Sequence, residues 1–416
     1  MSLRAVKPAP GNQPAAAMRW QLDQLDPVLS LVSLVLISLG VVMVASASIS
    51  VADRELGNPY YYLQRQLLFS LAGIVAAVAV FRMRLAVWEK SGMLLLGLAL
   101  VLLVAVLLPG VGKTVNGSTR WIPLGMINLQ VSELVKLLLL VYVAGYLVRH
   151  GEEVRTSLQG FLKPMLLVGL AGLLLLLQPD FGATVVIMGT VLGMTFLGGV
   201  RFVQFASFLL MFGLAALLLV LMSPYRLARL TSFMNPWADP FDSGFQLTQS
   251  LIAIGTGGWF GAGLGGSVQK LFYLPEAHTD FLFAVIAEEL GFAGVVLVLA
   301  LYTVFFVRAF RIGLQAETCG NRFAAYMAYG IGIWLGLQAV INMGVNMGLL
   351  PTKGLTLPLL SYGGSSLMVN CVAVGLLLRI HYECGMLHRQ AVSRAARARR
   401  QRQQGRSRQW QGEQAA

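Results

Sequence analysis

Charged residues are scarce in this sequence. Asp, Glu, Lys and Arg make up 12% of its 416 residues, whereas hydrophobic residues make up 57%. Soluble globular proteins contain about 25% charged residues, so the composition excludes an ordinary soluble domain. The mean hydropathy of +0.72 is typical of a chain that crosses a membrane several times.

Cysteine and histidine are also rare, with three and four residues that form no cluster along the chain. A structural zinc site needs four such ligands, so none is predicted. The sequence contains no H-E-x-x-H and no G-x-S-x-G, which gives no sign of a metalloprotease or a hydrolase nucleophile. GAGLGG at 261–266 matches the dinucleotide-binding pattern. Because no strand precedes it, we predict a glycine-rich turn or close helix packing instead.

Long apolar runs occupy most of the chain. They predict an all-α polytopic integral membrane protein with about ten transmembrane helices and a large extracytoplasmic loop, 223–280, between the seventh and eighth. The predicted spans are 27–48, 65–81, 91–109, 131–148, 163–177, 182–199, 203–222, 281–307, 324–346 and 366–382.

The distribution of cations predicts the orientation of these spans. The net charge is +13, and eight arginines with no acid lie between Arg389 and Arg408. Cytoplasmic loops are enriched in Lys and Arg, so both termini are predicted to be cytoplasmic. Segments 49–64, 110–130, 178–181, 223–280 and 347–365 are then extracytoplasmic. The three predicted regions are a disordered tail at 1–24, a membrane domain at 25–385 and a basic, disordered tail at 386–416. We expect the basic tail to contact anionic lipid rather than nucleic acid.

Unusual polar residues concentrate in the extracytoplasmic segments. The cations among them are Arg120, Arg226, Arg229, Lys270 and Lys353. Guanidinium and ammonium groups suit a phosphate, although each one alone is well explained as an anchor at the lipid headgroups. Their presence in several loops favours a site for an amphipathic, phosphate-bearing substrate. Gln249, Glu276, His278 and Ser361 lie in the same segments and are predicted to contribute to that site.

Asp280 is the strongest candidate for a catalytic residue. It stands at the outer mouth of the eighth predicted span, directly before the apolar stretch FLFAVIA. Partial desolvation favours a carboxylate that accepts a proton, whereas nearby cations oppose that shift. An N-cap at the start of the helix explains the same position equally well.

Four ionisable residues are predicted to lie deeper in the membrane. Glu288 and Glu289 lie about 12 Å into their span, and Glu133 and Lys136 are three residues apart on the fourth. Charges at such depth usually face the bundle interior in pairs, so we predict a structural ion-pair network. A proton path through Glu288 or Glu289 is the alternative. For Asn342 and Asn346, on one face of the ninth span, we predict helix-to-helix hydrogen bonds.

Six segments carry a resemblance to a known family. They are NGSTRWIPLGMINLQVSELVK, QPDFG, YRLARLTSFMNPWADP, GFQLTQSLIAIGTGGWFGAGLG, QKLFYLPEAHTDFLFAVIAEELGFAG and LPTKGLTLPLLSYGGSS. Together they resemble the SEDS family of shape, elongation, division and sporulation proteins, from about 25 to 385. The residues PEAHTDF and the long basic tail favour the cell-division branch of this family. One departure is Gln130-Val131-Ser132-Glu133, where family members often have Q-P-S-E.

The resemblance implies a peptidoglycan glycosyltransferase that polymerises lipid II in the bacterial inner membrane at the division septum. It implies that Asp280, in the H-T-D-F motif, and Lys353, in P-T-K-G, are the essential residues. The implied partners are a class B penicillin-binding protein and other membrane proteins of the division complex. A divalent cation, Mg²⁺ or Mn²⁺, is compatible with a pyrophosphate, but the sequence contains no dedicated cage for it. A lipid II flippase and a non-catalytic scaffold for the transpeptidase are the alternative functions.

Overall fold

The computed structural model describes residues 25–415 except 116, 117, 126, 223, 243, 272 and 353. At 115, 124, 127, 224–226, 228, 229, 388 and 391–415 it describes the backbone alone.

Helices dominate the described part of the chain, with one short run of strands. In chain order the elements are α1 (Pro27–Leu56), α2 (Tyr61–Arg82), α3 (Leu85–Leu107), β1 (Lys113–Val115), β2 (Ser118–Leu124), β3 (Ile127–Gln130), α4 (Val131–Arg149), α5 (Gly151–Thr156), α6 (Leu158–Leu177), α7 (Phe181–Leu197), α8 (Phe202–Leu221), α9 (Pro224–Met234), α10 (Phe245–Thr256), α11 (Leu282–Thr318), α12 (Arg322–Asn346) and α13 (Gly364–Ala415).

The predicted polytopic membrane fold is confirmed. Within the described residues, nine helices are long and apolar enough to cross a membrane, and the apolar α7 has 17 residues. The spans at 163–177 and 182–199, which are hard to separate by sequence, are distinct helices joined by the QPD turn. In α4, 89% of the most apolar stretch is buried, compared with none in α8. Helix α4 therefore lies at the centre of the bundle and α8 at its edge.

Several helix starts follow directly from local sequence. Asp26 precedes Pro27 and accepts a 2.9 Å hydrogen bond from the Leu29 N–H. Asp180 caps α7 in the same way, through the Ala183 N–H at 3.2 Å. Such caps satisfy donors that the first turn of a helix leaves without partners.

The segments that are predicted to be extracytoplasmic contain more secondary structure than the hydropathy pattern indicates. Segment 110–130 forms an antiparallel sheet of order β1-β2-β3, in which Trp121 pairs with Gln130. Segment 223–280 contains α9 and α10 rather than one long loop. Short polar elements lack the long apolar runs that reveal membrane spans, which is why hydropathy misses them.

The eighth predicted span is not continuous. Helix α11 breaks at Gly291, whose φ of 65° and ψ of −162° only glycine adopts readily. The freed carbonyls of Glu288 and Glu289 accept hydrogen bonds from the Ala262 and Gly263 N–H groups at 2.9 and 3.1 Å. The GAGLGG segment thus packs against the break, which confirms the close-packing interpretation. It satisfies backbone groups that could not stay unpaired within a membrane.

The C-terminal tail also differs from its predicted state. The sequence predicts disorder over 386–416, whereas α13 continues to Ala415. That prediction rests on the low apolar content of the tail and takes no account of helix propensity. Ala, Arg and Gln, which dominate the tail, are all strong helix formers.

Candidate active site

The predicted base, Asp280, lies in a tight turn directly before α11. Within this turn, the Thr279 and Phe281 N–H groups donate to the Glu276 carbonyl at 3.1 and 3.2 Å. The Asp280 carboxylate faces Gly354, because a Cβ added to that glycine would lie 3.1 Å from its Oδ2. Gly354 follows Lys353 in the chain, although Lys353 itself lies outside the described residues. The loops that carry the two implied essential residues therefore meet at Asp280.

The alternative role of Asp280 as a helix cap is wrong. The N-cap position of α11 is Phe281, and no side chain caps it. The Ala284 N–H donates instead to the side-chain oxygen of Asn346 on α12, at 3.2 Å. The carboxylate of Asp280 is thus not committed to starting the helix.

Two asparagines on α12 fix the backbone of Asp280. The Asn342 side-chain amide donates to the Asp280 carbonyl at 2.8 Å and to the Leu355 carbonyl at 2.5 Å. Asn346 donates to the same Asp280 carbonyl at 3.0 Å. The predicted helix-to-helix hydrogen bond is present for Asn346, which accepts from Ala284 on α11. In addition, the two asparagine amides bind the two site loops. Their spacing of four residues on a buried helix face was the available signal.

An aromatic cluster flanks the turn. The His278 ring centroid lies 4.4 Å from that of Tyr62 and 5.5 Å from that of Tyr362. The Tyr362 N–H donates to the His278 carbonyl at 3.0 Å. Burial lowers the pKa of His278 below its ordinary value, and the nearby carboxylate of Glu276 opposes that shift. The lowered pKa favours the uncharged ring, which lies tilted against both tyrosine rings.

Arg120 makes contacts that differ from its predicted role. Its guanidinium donates to the carbonyls of Gln178 and Pro179 at 3.2 and 2.6 Å and lies 3.9 Å from the Asp180 carboxylate. These partners belong to the turn between α6 and α7. They occupy the guanidinium, so the phosphate role predicted for Arg120 has no support in the structure.

The other predicted site residues are dispersed. Ser361 is buried and its hydroxyl accepts a 3.0 Å bond from the Leu357 N–H, which makes it a loop-stabilising group. Glu276 is exposed and accepts from the Thr279 hydroxyl at 2.7 Å. Gln249 lies partly exposed on α10. The side chains of Arg226 and Arg229, on α9, lie outside the described part of the structure.

The buried ionisable residues form two separate groups instead of one network. Lys136 pairs with Glu133 at 2.8 Å, as the spacing predicts, and donates to Gln338 at 2.7 Å. Glu289 pairs with Lys270 at 2.6 Å. Ser46 on α1 completes this second group and bonds to both members.

Two predictions change as a result. The phosphate role predicted for Lys270 is not supported, because its ammonium group is buried against Glu289. Glu288 has hydrogen-bond donors in place of a cation: the Ser267 hydroxyl and, at 2.9 Å, the Val268 N–H. Both glutamate side chains thus bind residues 267–270, which directly follow the GAGLGG segment.

Within the described residues, no group of three or more His, Cys, Asp or Glu side chains could hold a metal ion.

Similarity to known proteins agrees with this arrangement. A family model described as "Cell cycle protein", which covers FtsW, RodA and SpoVE, matches residues 27–385. The chain belongs to this family. The predicted resemblance to SEDS proteins is thereby confirmed.

Family members with high identity carry the name of the division protein. A protein of Thioalkalivibrio sulfidiphilus, named probable peptidoglycan glycosyltransferase FtsW, is 61% identical over 361 residues, which cover 87% of this chain and 90% of the relative. A protein of Coxiella burnetii with the same name is 54% identical over 358 residues, which cover 86% of this chain and 96% of the relative. These relatives support the predicted division branch.

Solved structures of the family share the fold. One, described as structural coordination of polymerization and crosslinking by a peptidoglycan synthase complex, superposes with a TM-score of 0.71 at 30% identity and covers 86% of this chain and 98% of its own. The rod shape determining protein RodA of Thermus thermophilus gives a TM-score of 0.64 at 30% identity, covering 86% of this chain and 96% of its own.

Proposed function

We propose that this protein is a peptidoglycan glycosyltransferase that polymerises lipid II during septal cell-wall synthesis. The observation that carries the proposal is the meeting of the HTDF and PTKG loops at the Asp280 carboxylate, at the predicted outer edge of the membrane. The names of the high-identity relatives support the same reaction.

In the proposed reaction, Asp280 acts as a general base. Its carboxylate accepts the proton of the 4-hydroxyl of the acceptor sugar, and that oxygen attacks the anomeric carbon of the donor. A new carbon–oxygen bond forms, the bond to the pyrophosphate breaks, and polyprenyl pyrophosphate leaves with its electron pair. This single displacement inverts the anomeric centre. Lys353 stabilises the negative charge that develops on the leaving group.

The fixed backbone of Asp280 supports this role. Asn342 and Asn346 both donate to its carbonyl, and Asn342 also binds the loop after Lys353. The backbone of Asp280 and the loop after Lys353 are thereby held together before the substrate arrives, which lowers the cost of organising the transition state.

Transport is the principal alternative, and the buried polar groups bear on it. A flippase would line a path across the membrane with polar groups that are available to the substrate. Here Lys136 binds Glu133 and Gln338, and Lys270 binds Glu289 and Ser46. Because these buried groups bind each other and are not available to a substrate, the described structure favours polymerisation over transport. A scaffold function would not explain why the turn that carries Asp280 is fixed by hydrogen bonds.

We further propose that the protein works beside a class B penicillin-binding protein at the septum, with both termini in the cytoplasm. The solved structure described as structural coordination of polymerization and crosslinking by a peptidoglycan synthase complex supports such a partnership.

The deciding experiment measures glycan polymer made from labelled lipid II by the purified protein with its transpeptidase partner. Asp280→Asn should lower the rate by about 100-fold or more, because general-base catalysis contributes about 10²–10⁴-fold. Asp53→Asn is the matched control, since Asp53 is an exposed acid at the same predicted membrane side. A normal rate in Asp280→Asn would remove Asp280 from the role of base. No polymer from the wild type would shift the proposal to transport, which a lipid II translocation assay would test.

A further inference from the structure

Arg65, in the second turn of α2, is a cation that the sequence pattern did not single out. Its guanidinium carbon lies 4.9 Å from the centroid of the Tyr61 ring. It forms no ion pair with any residue that the structure describes, unlike Arg120 and Lys270. Its side chain is partly exposed. Arg65 therefore keeps donors for an anion from outside the protein.

Arg65 adjoins the candidate active site through aromatic side chains. The Tyr61 ring, against which Arg65 lies, is 5.3 Å from the Tyr62 ring. The charge of Arg65 and a side-chain hydrogen bond from it oppose the rise in pKa that burial causes at the Tyr362 hydroxyl. The Tyr362 ring lies 5.1 Å from Tyr62 and 5.5 Å from His278, two residues before Asp280. The start of α2 thus belongs to the same surface as the predicted base.

The backbone at this position also favours an anion. The N-cap residue of α2 is Tyr60, and no side chain caps the helix. The Tyr61 N–H donates to the Asn58 carbonyl at 3.2 Å, and the rest of the positive dipole end of this 22-residue helix lies at the predicted outer surface. The uncapped helix terminus supports an anion site only together with Arg65, which lies one turn further along the same helix.

We propose that Arg65 and the start of α2 bind the pyrophosphate of the lipid-linked substrate, with Tyr61 and Tyr362 orienting the guanidinium. A guanidinium fork binds phosphate oxygens in pairs, and a tyrosine ring against its face limits its rotation. The inference rests on the proposed function, because it assigns the phosphate subsite of that reaction. It replaces Arg120 and Lys270, whose donors are occupied within the protein.

Binding is tested without catalysis. Purified protein is titrated with undecaprenyl pyrophosphate in phosphatidylcholine vesicles, and Kd is measured for the wild type and for Arg65→Gln, Arg65→Lys, Tyr362→Phe and Arg54→Gln. Arg54 is an exposed arginine at the same predicted membrane side and serves as the matched control. We expect Arg65→Gln to raise Kd by about 10- to 100-fold, the worth of a hydrogen bond to a charged group. Arg65→Lys should lie between that variant and the wild type, Tyr362→Phe should raise Kd by about threefold, and Arg54→Gln should change nothing.

The outcomes separate this inference from the proposed function. An unchanged Kd in Arg65→Gln, or an equal rise in Arg54→Gln, would overturn the subsite. Equal competition by phosphatidylglycerol would make Arg65 a general headgroup anchor and would also overturn it. If Arg65→Gln does not fold, as judged by size-exclusion chromatography, an unchanged Kd in both Arg65→Lys and Tyr362→Phe is the overturning result. Failure of the wild type to polymerise lipid II, with Arg65-dependent binding intact, would count against the polymerase alone.

Discussion

At the scale of single residues, His278 connects protonation to the stability of the active-site turn. Burial against Tyr62 and Tyr362 lowers its pKa, so the folded state prefers the neutral ring. The unfolded chain then binds a proton more readily than the folded one. The contribution of His278 to stability is complete above the unfolded pKa of about 6.5, and it declines as the pH falls towards the lower folded value.

We therefore expect the thermal unfolding temperature of the wild type to fall between pH 7.5 and pH 5. The His278→Phe variant should show a smaller fall, because its ring stacks without titrating. The measurement is a series of melting curves in detergent for both proteins across that range. Identical pH dependence in the two proteins would show that His278 does not titrate differently in the folded state.

The residues at the site differ in how far sequence could identify them. Asp280 and Lys353 stand in recognisable motifs, so resemblance selects both without coordinates. The partners of Arg120 and Lys270 depend on a turn and a segment that fold back against them, and no local pattern encodes those contacts. For Arg65, the informative fact is the lack of a carboxylate partner among the described residues, which only a folded structure reveals.

At the scale of elements, the break in α11 depends on one glycine. A Cβ at Gly291 would lie 2.3 Å from the Gly261 nitrogen and 2.7 Å from the Phe260 nitrogen. Real Cβ contacts are never that short, and both neighbours are backbone atoms that cannot rotate away. The break therefore brings the two segments closer together than any side chain at position 291 allows.

Gly291→Ala should consequently destabilise the protein by about 2–4 kcal/mol through strain and collision together. Gly265→Ala is the matched control, because Gly265 has a φ of +82° but nothing within 4 Å of its added Cβ. It should cost about 1–2 kcal/mol from conformation alone. Unfolding by denaturing detergent gives both values, and equal losses would mean that close approach at Gly291 is unimportant.

Hydropathy predicts the spans well and their interruptions poorly. Each of the ten predicted runs overlaps a helix, and nine of these helices, among the described residues, are long and apolar enough to cross a membrane. Hydropathy cannot place the break at Gly291, since the mean hydropathy of the span stays high despite Glu288 and Glu289 and a single glycine carries no hydropathy signal. Hydropathy also misses the small sheet at 113–130, because its strands are short and contain no long apolar run.

At the scale of the whole molecule, polar contacts gather at two opposite ends of the bundle. At one end Arg120 binds the QPD turn, and the Gln130 N–H donates to Ser365 at 3.1 Å. At the other end Arg155 donates to the Gly198 carbonyl at 2.9 Å, and Arg379 to the Phe81 carbonyl at 3.1 Å. Asp280 belongs to the first end, which the charge distribution predicts to be extracytoplasmic.

This orientation is testable with single cysteines at exposed positions of the two ends, Lys113→Cys and Glu152→Cys. The native background is favourable, because Cys371 and Cys384 are buried and Cys319 lies at the predicted cytoplasmic end. In sealed right-side-out vesicles, a membrane-impermeant maleimide should label Lys113→Cys at once. It should label Glu152→Cys only after permeabilisation. The reverse pattern would place Asp280 in the cytoplasm, on the wrong side of the membrane for adding sugars to an extracytoplasmic wall, and the polymerase proposal would fail with it.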